Sequence, residues 1–404
     1  MTTSLPHTDI TRRDLSALTA GIPYVIGFPP RDSLVLFTFN RVPALTLGTT
    51  MRADLPAPEH AEAAAEHLVA AAKRNGAVAA LAVVVGGTVD AHRRLVNALR
   101  QGFDDNDILL VHASWVAAIR PGERWRCYLD PQCTGEVPDP QTTTWAAAIA
   151  LAGDPTYRSR EEMAEQLAPD PAETLVRREE LLDAHLRTPQ NPYTEDDLAA
   201  DLSLITRTLA DAEKTPDLPV LNDRHLVRLA RALSHQEVKD ECLAAALTPN
   251  PQAAERLWTV LVRALPAPER AEPATLLAMS AYLRGAGTLA VLAVRTALDA
   301  NPAHSLAQLL YIALTQAVLP PDHLRTLLMR SILKNEGFPD DLLPAAQPCT
   351  PHTRPVVDVV NGELNTRTAA TLGLLTPARA TLDPLTSFLP PHAGTEIRAR
   401  NGPG

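Results

Sequence analysis

The strongest constraint on the fold of this chain is an unbroken apolar segment, AVAALAVVV, at residues 77–85. A glycine lies on each side of the segment, and its length suits a strand better than a helix. A strand without polar residues has to be covered on both faces, which is typical of the buried strands of α/β sheets. The alanine-rich segment 57–74, which ends at Asn75-Gly76, and the segment from Thr88 to about Gln101 are predicted to be helices.

Four further strand patterns lie in pairs within the first 140 residues. DSLVLFTFN (32–40) and ALTLGTTMRA (44–53) form one pair, and DILLVHASWVAAI (107–119) and RWRCYL (124–129) form the other. The short connections between the members of each pair predict two β-hairpins. A capping pattern at Thr11 adds a short helix that carries Leu15 and Leu18. The order of elements predicts an α/β N-terminal domain with a mixed sheet.

Strand patterns stop at about residue 140, and amphipathic helices separated by proline-containing turns follow. Ser159-Arg-Glu-Glu162 is a capping box that opens one of these helices. The last part of the chain is rich in proline, threonine and glycine and has little periodicity. We predict an α/β domain at 1–140, an all-α helical array at 141–335 and a disordered tail at 336–404.

Similar residues recur within the array at steps of 34 positions. The matching sets are Leu243, Leu277 and Tyr311; Ala244, Ala278 and Ile312; and Val260, Val294 and Leu328. A period of 34 is the length of one helical hairpin of the tetratricopeptide kind, and residues 273–302 resemble that family, with small Ala278 and Ala281 and with Gly285 at the turn. The resemblance implies helical hairpins from about residue 236 and a concave surface that binds a protein or peptide partner.

Composition excludes several other classes of protein. The formal net charge is -10 and no cluster of basic side chains occurs, which disfavours nucleic acid as a partner. The N-terminus has no apolar core of signal-peptide length, and the longest apolar run is far below the roughly 18 residues of a membrane span. We therefore expect a cytoplasmic protein with no membrane partner. Four cysteines in 404 residues do not form a disulfide framework, so we expect reduced thiols, and we predict no cofactor.

The segment GIPYVIGFPPRDS, residues 21–33, is the first candidate for chemistry. Pro23, Pro29 and Pro30 each restrict the preceding residue, which predicts a stiff, non-helical connector into the first strand. Asp32 and Ser33 lie where side chains commonly bond to loop amides, and this structural role is favoured. The alternative is that Asp32 acts as a base or Ser33 as a nucleophile, although no glycine-flanked elbow surrounds Ser33.

Other polar residues lie at the ends of the predicted strands. Arg52 and Asp54 share one face of the second strand, either as an exposed pair or as two walls of a site at the end of the sheet. Gly86, Gly87 and Thr88 follow the buried strand and are weak candidates for an anion site, because they match neither the dinucleotide nor the P-loop fingerprint. A plain turn is the favoured interpretation there.

The segment RWRCYLDPQC, residues 124–133, concentrates aromatic, charged and thiol side chains. Cys127 and Cys133, with only Asp130 or a distant histidine to complete the set, are too few ligands for zinc, so we predict no metal site. A packed hairpin and loop is favoured, and an oxidisable cysteine pair is the alternative. His112, which shares a strand face with Ser114, is interpreted as structural.

Several blocks together resemble a known family. They are IPYVIGFPPRDSLVLF, MRADLP, RWRCYLDPQC, SREEMAEQLAPDP and the segment from Ala254 to Leu298. The chain is similar over most of residues 15–333 to the family called domain of unknown function 4192. The resemblance implies an uncharacterised bacterial protein of the cytoplasm and no particular activity. The family pattern has further cysteines in the aromatic loop, where this chain has Asp130 and Thr134.

Two functional hypotheses follow. The favoured hypothesis is a non-catalytic protein-interaction or regulatory module that binds its partner through the helical array. The alternative is an enzyme that acts on a small anionic substrate at the end of the N-terminal sheet. Its candidate catalytic residues are Asp32, Ser33, Arg52, Asp54 and Arg124.

Overall fold

The computed structural model describes residues 12–41, 45–187, 193–214, 221–316 and 319–334. The predicted tail at 336–404, the start of the first predicted helix at Thr11 and the tip of the first hairpin lie outside these residues. In the described parts of the chain, no helix combines the length and the apolar character that crossing a membrane requires.

Six strands form one sheet: β1 (Ser33–Arg41), β2 (Leu45–Asp54), β3 (Ala79–Val85), β4 (Leu109–Val116), β5 (Arg124–Cys127) and β6 (Thr134–Glu136). Their order across the sheet is β2-β1-β3-β4-β5-β6. The pair β3 and β4 is parallel and the other pairs are antiparallel. The mixed sheet and both hairpins are thus confirmed, whereas β6 is an addition of three residues at the edge.

The middle of the sheet is covered on both faces, as the apolar segment predicted. Every residue of β3 is buried. On one face, α2 (Ala61–Arg74) and α3 (Arg93–Asp104) pack against alternate strand residues such as Leu34, Leu36 and Val84. Gly76 ends α2 with a left-handed backbone, φ +73°. The second of these helices begins later than predicted, because residues 86–92 form a loop.

The other face of the sheet is covered first by α1 (Arg12–Ile26), which is longer than predicted. Pro23 lies inside this helix, so the prediction of a non-helical connector was wrong for its first part. The fixed φ of proline is compatible with a helix. Ile22, the residue before Pro23, is buried in the core, and this packing holds Ile22 in helical conformation. Gly27, at φ +94°, ends the helix and donates its N–H to the carbonyl of Pro23.

Helices make up the described chain after the sheet, which confirms the predicted change of character. They are α4 (Thr144–Ala152), α5 (Arg160–Glu165), α6 (Ala172–Arg187), α7 (Glu195–Lys214), α8 (Asp223–Ala232), α9 (Gln236–Ala244), α10 (Pro251–Ala264), α11 (Ala271–Leu283), α12 (Gly287–Ala300), α13 (Ser305–Gln316) and α14 (Pro321–Lys334). One half of the predicted capping box is present, since the Ser159 hydroxyl accepts from the N–H of Glu162 at 3.2 Å. The Glu162 carboxylate accepts from the N–H of Arg158, one residue before the position that a capping box uses.

The last helices follow the spacing of the sequence repeat. The starts of α11 and α13, at 271 and 305, are 34 residues apart, as are those of α12 and α14, at 287 and 321. The tetratricopeptide likeness itself stays a prediction. Every residue of α11 except Glu272 is buried, because α9, α10, α12, α13 and α14 all contact this helix. Since α14 also contacts α9, the described helices pack around α11.

One apolar cluster connects the sheet with the helical array. It runs from Val35 and Val83 on the sheet through Ile22 of α1 and Met163 of α5 to Leu328 of α14. The buried core is therefore continuous across residue 140, where the sequence predicts a domain boundary.

A group of charged side chains is buried where α10 and α11 meet the segment between α4 and α5. We call Asp154, Glu255 and Arg284 the buried ion network. The guanidinium of Arg284 donates to Asp154 Oδ1 at 2.5 Å and to both oxygens of Glu255 at 3.0 and 2.9 Å. Burial opposes the charge on Arg284, but Glu255 and Asp154 outweigh burial and raise its pKa. The network therefore holds a cation and two carboxylates inside the protein.

Candidate functional site

Most of the polar residues singled out in the sequence meet at one end of the sheet. In the strand register, Ser33 lies opposite Asp54 on one side and opposite Val85 on the other. The start of β1, the end of β2 and the end of β3 are therefore neighbours. We call the group formed there the sheet-end cluster; its members are Asp32, Ser33, Arg52, Asp54, Gly86, Gly87 and His92.

Arg52 is the buried centre of one half of this cluster. Its Nε and Nη2 donate to the Ser33 hydroxyl at 3.0 and 2.8 Å, and Nη2 also forms an ion pair with Asp54. The Ser33 hydroxyl in turn donates to the carbonyl of Arg31 at 2.6 Å. Because its proton is bonded to a carbonyl and its oxygen to a cation, Ser33 is held as a structural link and is poorly prepared to act as a nucleophile.

Asp32 forms the exposed side of the cluster and has a left-handed backbone, φ 42°. Its carbonyl accepts from the N–H of Leu55 at 2.8 Å, which fixes the entry into β1. A Cβ at Gly86 would lie 2.5 Å from Asp32 Oδ1 and 2.9 Å from its backbone nitrogen. Glycine is needed at 86 because the aspartate approaches so closely and because φ there is +105°.

His92 joins the cluster from the N-terminus of α3. A Cβ at Gly87 would lie 2.6 Å from His92 Nε2, so the imidazole packs closely against this glycine. Burial lowers the pKa of His92, and the negative charge of Asp32 acts in the opposite direction. The imidazole is therefore neutral at physiological pH and lies within the electrostatic field of a carboxylate.

The backbone between these side chains is fixed from the neighbouring strand. The indole Nε1 of Trp115 donates to the carbonyl of Gly86 at 2.9 Å, and the N–H of Gly86 donates to the carbonyl of Val116 at 3.0 Å. The turn after β3 is thus attached to the end of β4. The carboxyl ends of parallel strands are where ligands bind in open α/β sheets.

Two of the predicted residues lie outside this arrangement. Arg124 begins β5, which is two strands away from β3, and its side chain is 82% exposed and pairs with Glu136 at 3.7 Å. Thr88 is exposed in the loop, where its carbonyl accepts from the N–H of Ala91. Conversely, the sequence pattern did not indicate His92. Its position at the start of the helix after the Gly86-Gly87 turn is the signal that could have identified it.

A second group of reactive side chains lies on the β4–β5–β6 part of the sheet. The ligand atoms of His112, Cys127 and Cys133 all lie within 4.8 Å of one another. We call these three residues the thiol–imidazole cluster. His112 Nδ1 is 3.5 Å from Cys127 Sγ, and the N–H of Leu129 donates to the same sulfur at 3.2 Å. The prediction of no metal site left only Asp130 or a distant histidine to complete the set of two cysteines, whereas the fold brings His112, a residue type that can bind a metal, beside both thiols.

Strand pairing explains how this cluster forms. Ser114 lies opposite Cys127, and His112, two residues before Ser114 in β4, is on the same face of the sheet as Cys127. The N–H of Cys127 donates to the carbonyl of Cys133 at 2.9 Å, which places the two cysteines side by side. Burial lowers the pKa of His112 to about 4, with Asp130 opposing, and burial raises the pKa of the Cys133 thiol. The imidazole of His112 and the thiol of Cys133 are therefore neutral at pH 7.

Comparison with known proteins places the chain in a family but assigns no activity. No curated protein and no solved structure matches it. The model of one family, described as Domain of unknown function (DUF4192), matches residues 16–322, which is most of the chain and includes both clusters. The chain therefore belongs to the DUF4192 family.

Proposed function

We propose that this protein is a regulatory module that binds a small anionic molecule at the sheet-end cluster. The observation that carries the proposal is the meeting of Asp32, Gly86, Gly87 and His92 where the parallel strands β3 and β4 end. Three separate parts of the sequence converge there. Sites of this kind in α/β sheets bind ligands in the crevice beyond the carboxyl ends of the strands.

The chemistry of the cluster favours a ligand with both an anionic group and hydroxyl groups. The N-terminus of α3, which begins directly after His92, carries the partial positive charge of the helix dipole. The carboxylate of Asp54 is paired with Arg52 although its side chain is 42% exposed, so we assign to Asp32, which is also exposed, the role of accepting from ligand hydroxyls. A phosphorylated or carboxylated metabolite with a hydroxyl group fits this set.

Catalysis at the same site is a second candidate, supported by the neutral imidazole of His92 next to Asp32. A neutral histidine can accept a proton from a bound substrate, and a nearby carboxylate stabilises the imidazolium that forms. In this role His92 would be the general base and Asp32 would stabilise its charged form. Arg52 and Ser33, which are both buried, would be positioning residues.

The test uses the full chain and a panel of small anions: inorganic phosphate, sugar phosphates and hydroxy acids. We expect at least one of them to raise the melting temperature and to give a Kd by calorimetry. His92→Asn and Asp32→Asn should each weaken binding about tenfold or more, because each removes a hydrogen bond to a charged or polar ligand group. Product formation, followed by NMR, separates an enzyme from a binding module.

Arg124→Ala is the matched control, because Arg124 was a candidate from the sequence but lies outside the cluster. It should bind the ligand as the unmodified protein does. Absence of any thermal shift across the panel, or equal loss of affinity in Arg124→Ala and Asp32→Asn, would contradict the proposed site.

Binding of a protein partner by the helical array is still a prediction. Its support is the 34-residue spacing of α11 to α14. Because α11 is buried, a partner would bind the helices that surround it. Affinity capture with the full chain as bait would test it. Separate baits divided near residue 140 would cut through the continuous core and would not represent the protein.

A further inference from the structure

The thiol–imidazole cluster has the composition of a metal site. We propose that His112, Cys127 and Cys133 bind Zn²⁺ or a chemically similar divalent metal, independently of any ligand at the sheet-end cluster. Thiolate and imidazole are the ligands that zinc prefers in proteins, and three such ligands from one protein chain are enough for a site with a fourth position.

The separations between the ligand atoms fit a tetrahedral metal. Metal–ligand bonds of about 2.3 Å to sulfur and about 2.0–2.1 Å to nitrogen place neighbouring ligand atoms roughly 3.5–3.8 Å apart in a tetrahedron. His112 Nδ1 and Cys127 Sγ are 3.5 Å apart, and all three ligand atoms lie within 4.8 Å of one another. Only a small adjustment of side chains is needed to close this set around one ion.

A purely structural role leaves the histidine poorly explained. His112 is 7% exposed, and its Nε2 is buried without a hydrogen-bond partner among the described residues. Its other nitrogen faces a thiol, which is a weak hydrogen-bonding group. Buried polar atoms normally have a partner, so an imidazole with such poor ones needs another explanation. Coordination of a metal by Nδ1 explains why this nitrogen faces a thiol; Nε2 then carries the ring proton, and the metal gives it no partner.

The surrounding backbone supports thiolate ligands. The N–H of Leu129 donates to Cys127 Sγ at 3.2 Å, and hydrogen bonds of this kind stabilise the negative sulfur that a metal requires. The N–H of Cys133 donates to the carbonyl of Asp130 at 3.0 Å, which closes the loop between the two cysteines. The loop thus presents both sulfurs to His112 on β4.

A fourth ligand would come from water or from the carboxylate of Asp130, which lies in the loop between the two cysteines. Binding converts two thiols into thiolates and leaves the imidazole neutral. One Zn²⁺ therefore enters the site while two protons leave for solvent. The bound ion would attach the loop between β5 and β6 to β4.

The experiment uses the full chain, reduced and stripped of metal. We expect one Zn²⁺ per chain after dialysis, release of about two protons per ion in weak buffer near neutral pH, and, with Co²⁺ as the probe, the absorption bands of a tetrahedral thiolate site. Cys127→Ser and Cys133→Ser should each reduce bound Zn²⁺ more than tenfold, and His112→Asn should do so while keeping both thiols. Asp130→Ala should retain the ion if water is the fourth ligand.

Cys242→Ser is the matched control, because Cys242 is a buried cysteine of α9 outside the cluster. Since Cys133 is only partly buried, its serine variant is expected to fold, and circular dichroism verifies this for every variant. No bound Zn²⁺ in the folded, reduced protein overturns the proposal. So does equal binding by the Cys133→Ser variant. Quantitative formation of a Cys127–Cys133 disulfide in air, with no metal uptake after reduction, identifies an oxidisable pair and also overturns it.

Discussion

Replacing Arg284 with methionine is expected to destabilise the fold by about 3–5 kcal/mol at neutral pH, the typical cost of removing one partner from a buried ion pair. The side chains of Asp154 and Glu255 are only 1% and 8% exposed. Methionine fills much of the volume of arginine but supplies no charge and no N–H groups. Two carboxylates then remain in the interior without their cation, and Asp154 Oδ2 already has no hydrogen-bond partner in the part of the chain that the structure describes.

The loss should depend on pH in a defined direction. In the variant, two buried carboxylates lack the cation that offsets their burial, and burial disfavours the charged form of a carboxyl group. The destabilisation is largest where both groups are charged. It decreases as the pH falls, because the folded variant then takes up protons that the unfolded chain does not. The difference from the unmodified protein should therefore be smaller at pH 5 than at pH 7.

Urea unfolding followed by circular dichroism measures both effects on the full chain. Arg124→Met is the matched control, because it removes an exposed arginine from a pair with Glu136 and should change stability by less than about 1 kcal/mol. Adding Asp154→Asn to the Arg284→Met variant should recover part of the loss. A loss below about 1 kcal/mol for Arg284→Met, or one that does not change with pH, would refute the reasoning.

Two further predictions concern single sites. Gly86→Ala should cost more stability than Gly122→Ala in thermal unfolding, because both have positive φ but only the Cβ at 86 would meet other atoms; equal losses would mean that close approach has no role. Arg177 and Arg178 lower the pKa of Asp223, so this carboxylate stabilises the fold above its unfolded pKa of about 3.9 and the contribution is lost as pH falls through the lower folded value. Asp223→Asn should flatten the acid limb of a stability profile below about pH 4, and an unchanged profile would contradict this assignment.

The elements of the sheet could be predicted because their signals are local. The apolar run at 77–85 needs no knowledge of the rest of the chain to be identified as a covered strand, and the capping box at Ser159 is contained in four residues. β6 could not be found in this way, since three residues with two exposed side chains carry no pattern and pair only because β5 is beside them. Pro23 misled the prediction because tertiary packing of Ile22 outweighs a local preference.

The candidate sites show the same difference between local sequence patterns and contacts that depend on the fold. Asp32, Ser33, Arg52 and Asp54 were identified as polar residues at strand ends, and strand pairing then brought them together. His112 was considered apart from the two cysteines because the β4–β5 register, which makes them neighbours, is not visible in a linear sequence. Arg124, like Arg52, is an arginine near one end of a strand, yet only the strand order shows that it lies elsewhere.

The continuous core has a consequence for how an occupied site could be sensed. Because one apolar cluster links the sheet with α14, opening the array exposes part of the core that also holds the sheet, and we therefore expect the two halves to unfold together. A molecule that binds only the folded sheet end then protects the array by the same free energy, about 2.7 kcal/mol at a concentration of 100 Kd. Amide hydrogens in α11 and α14 would exchange more slowly although no atom near them has moved.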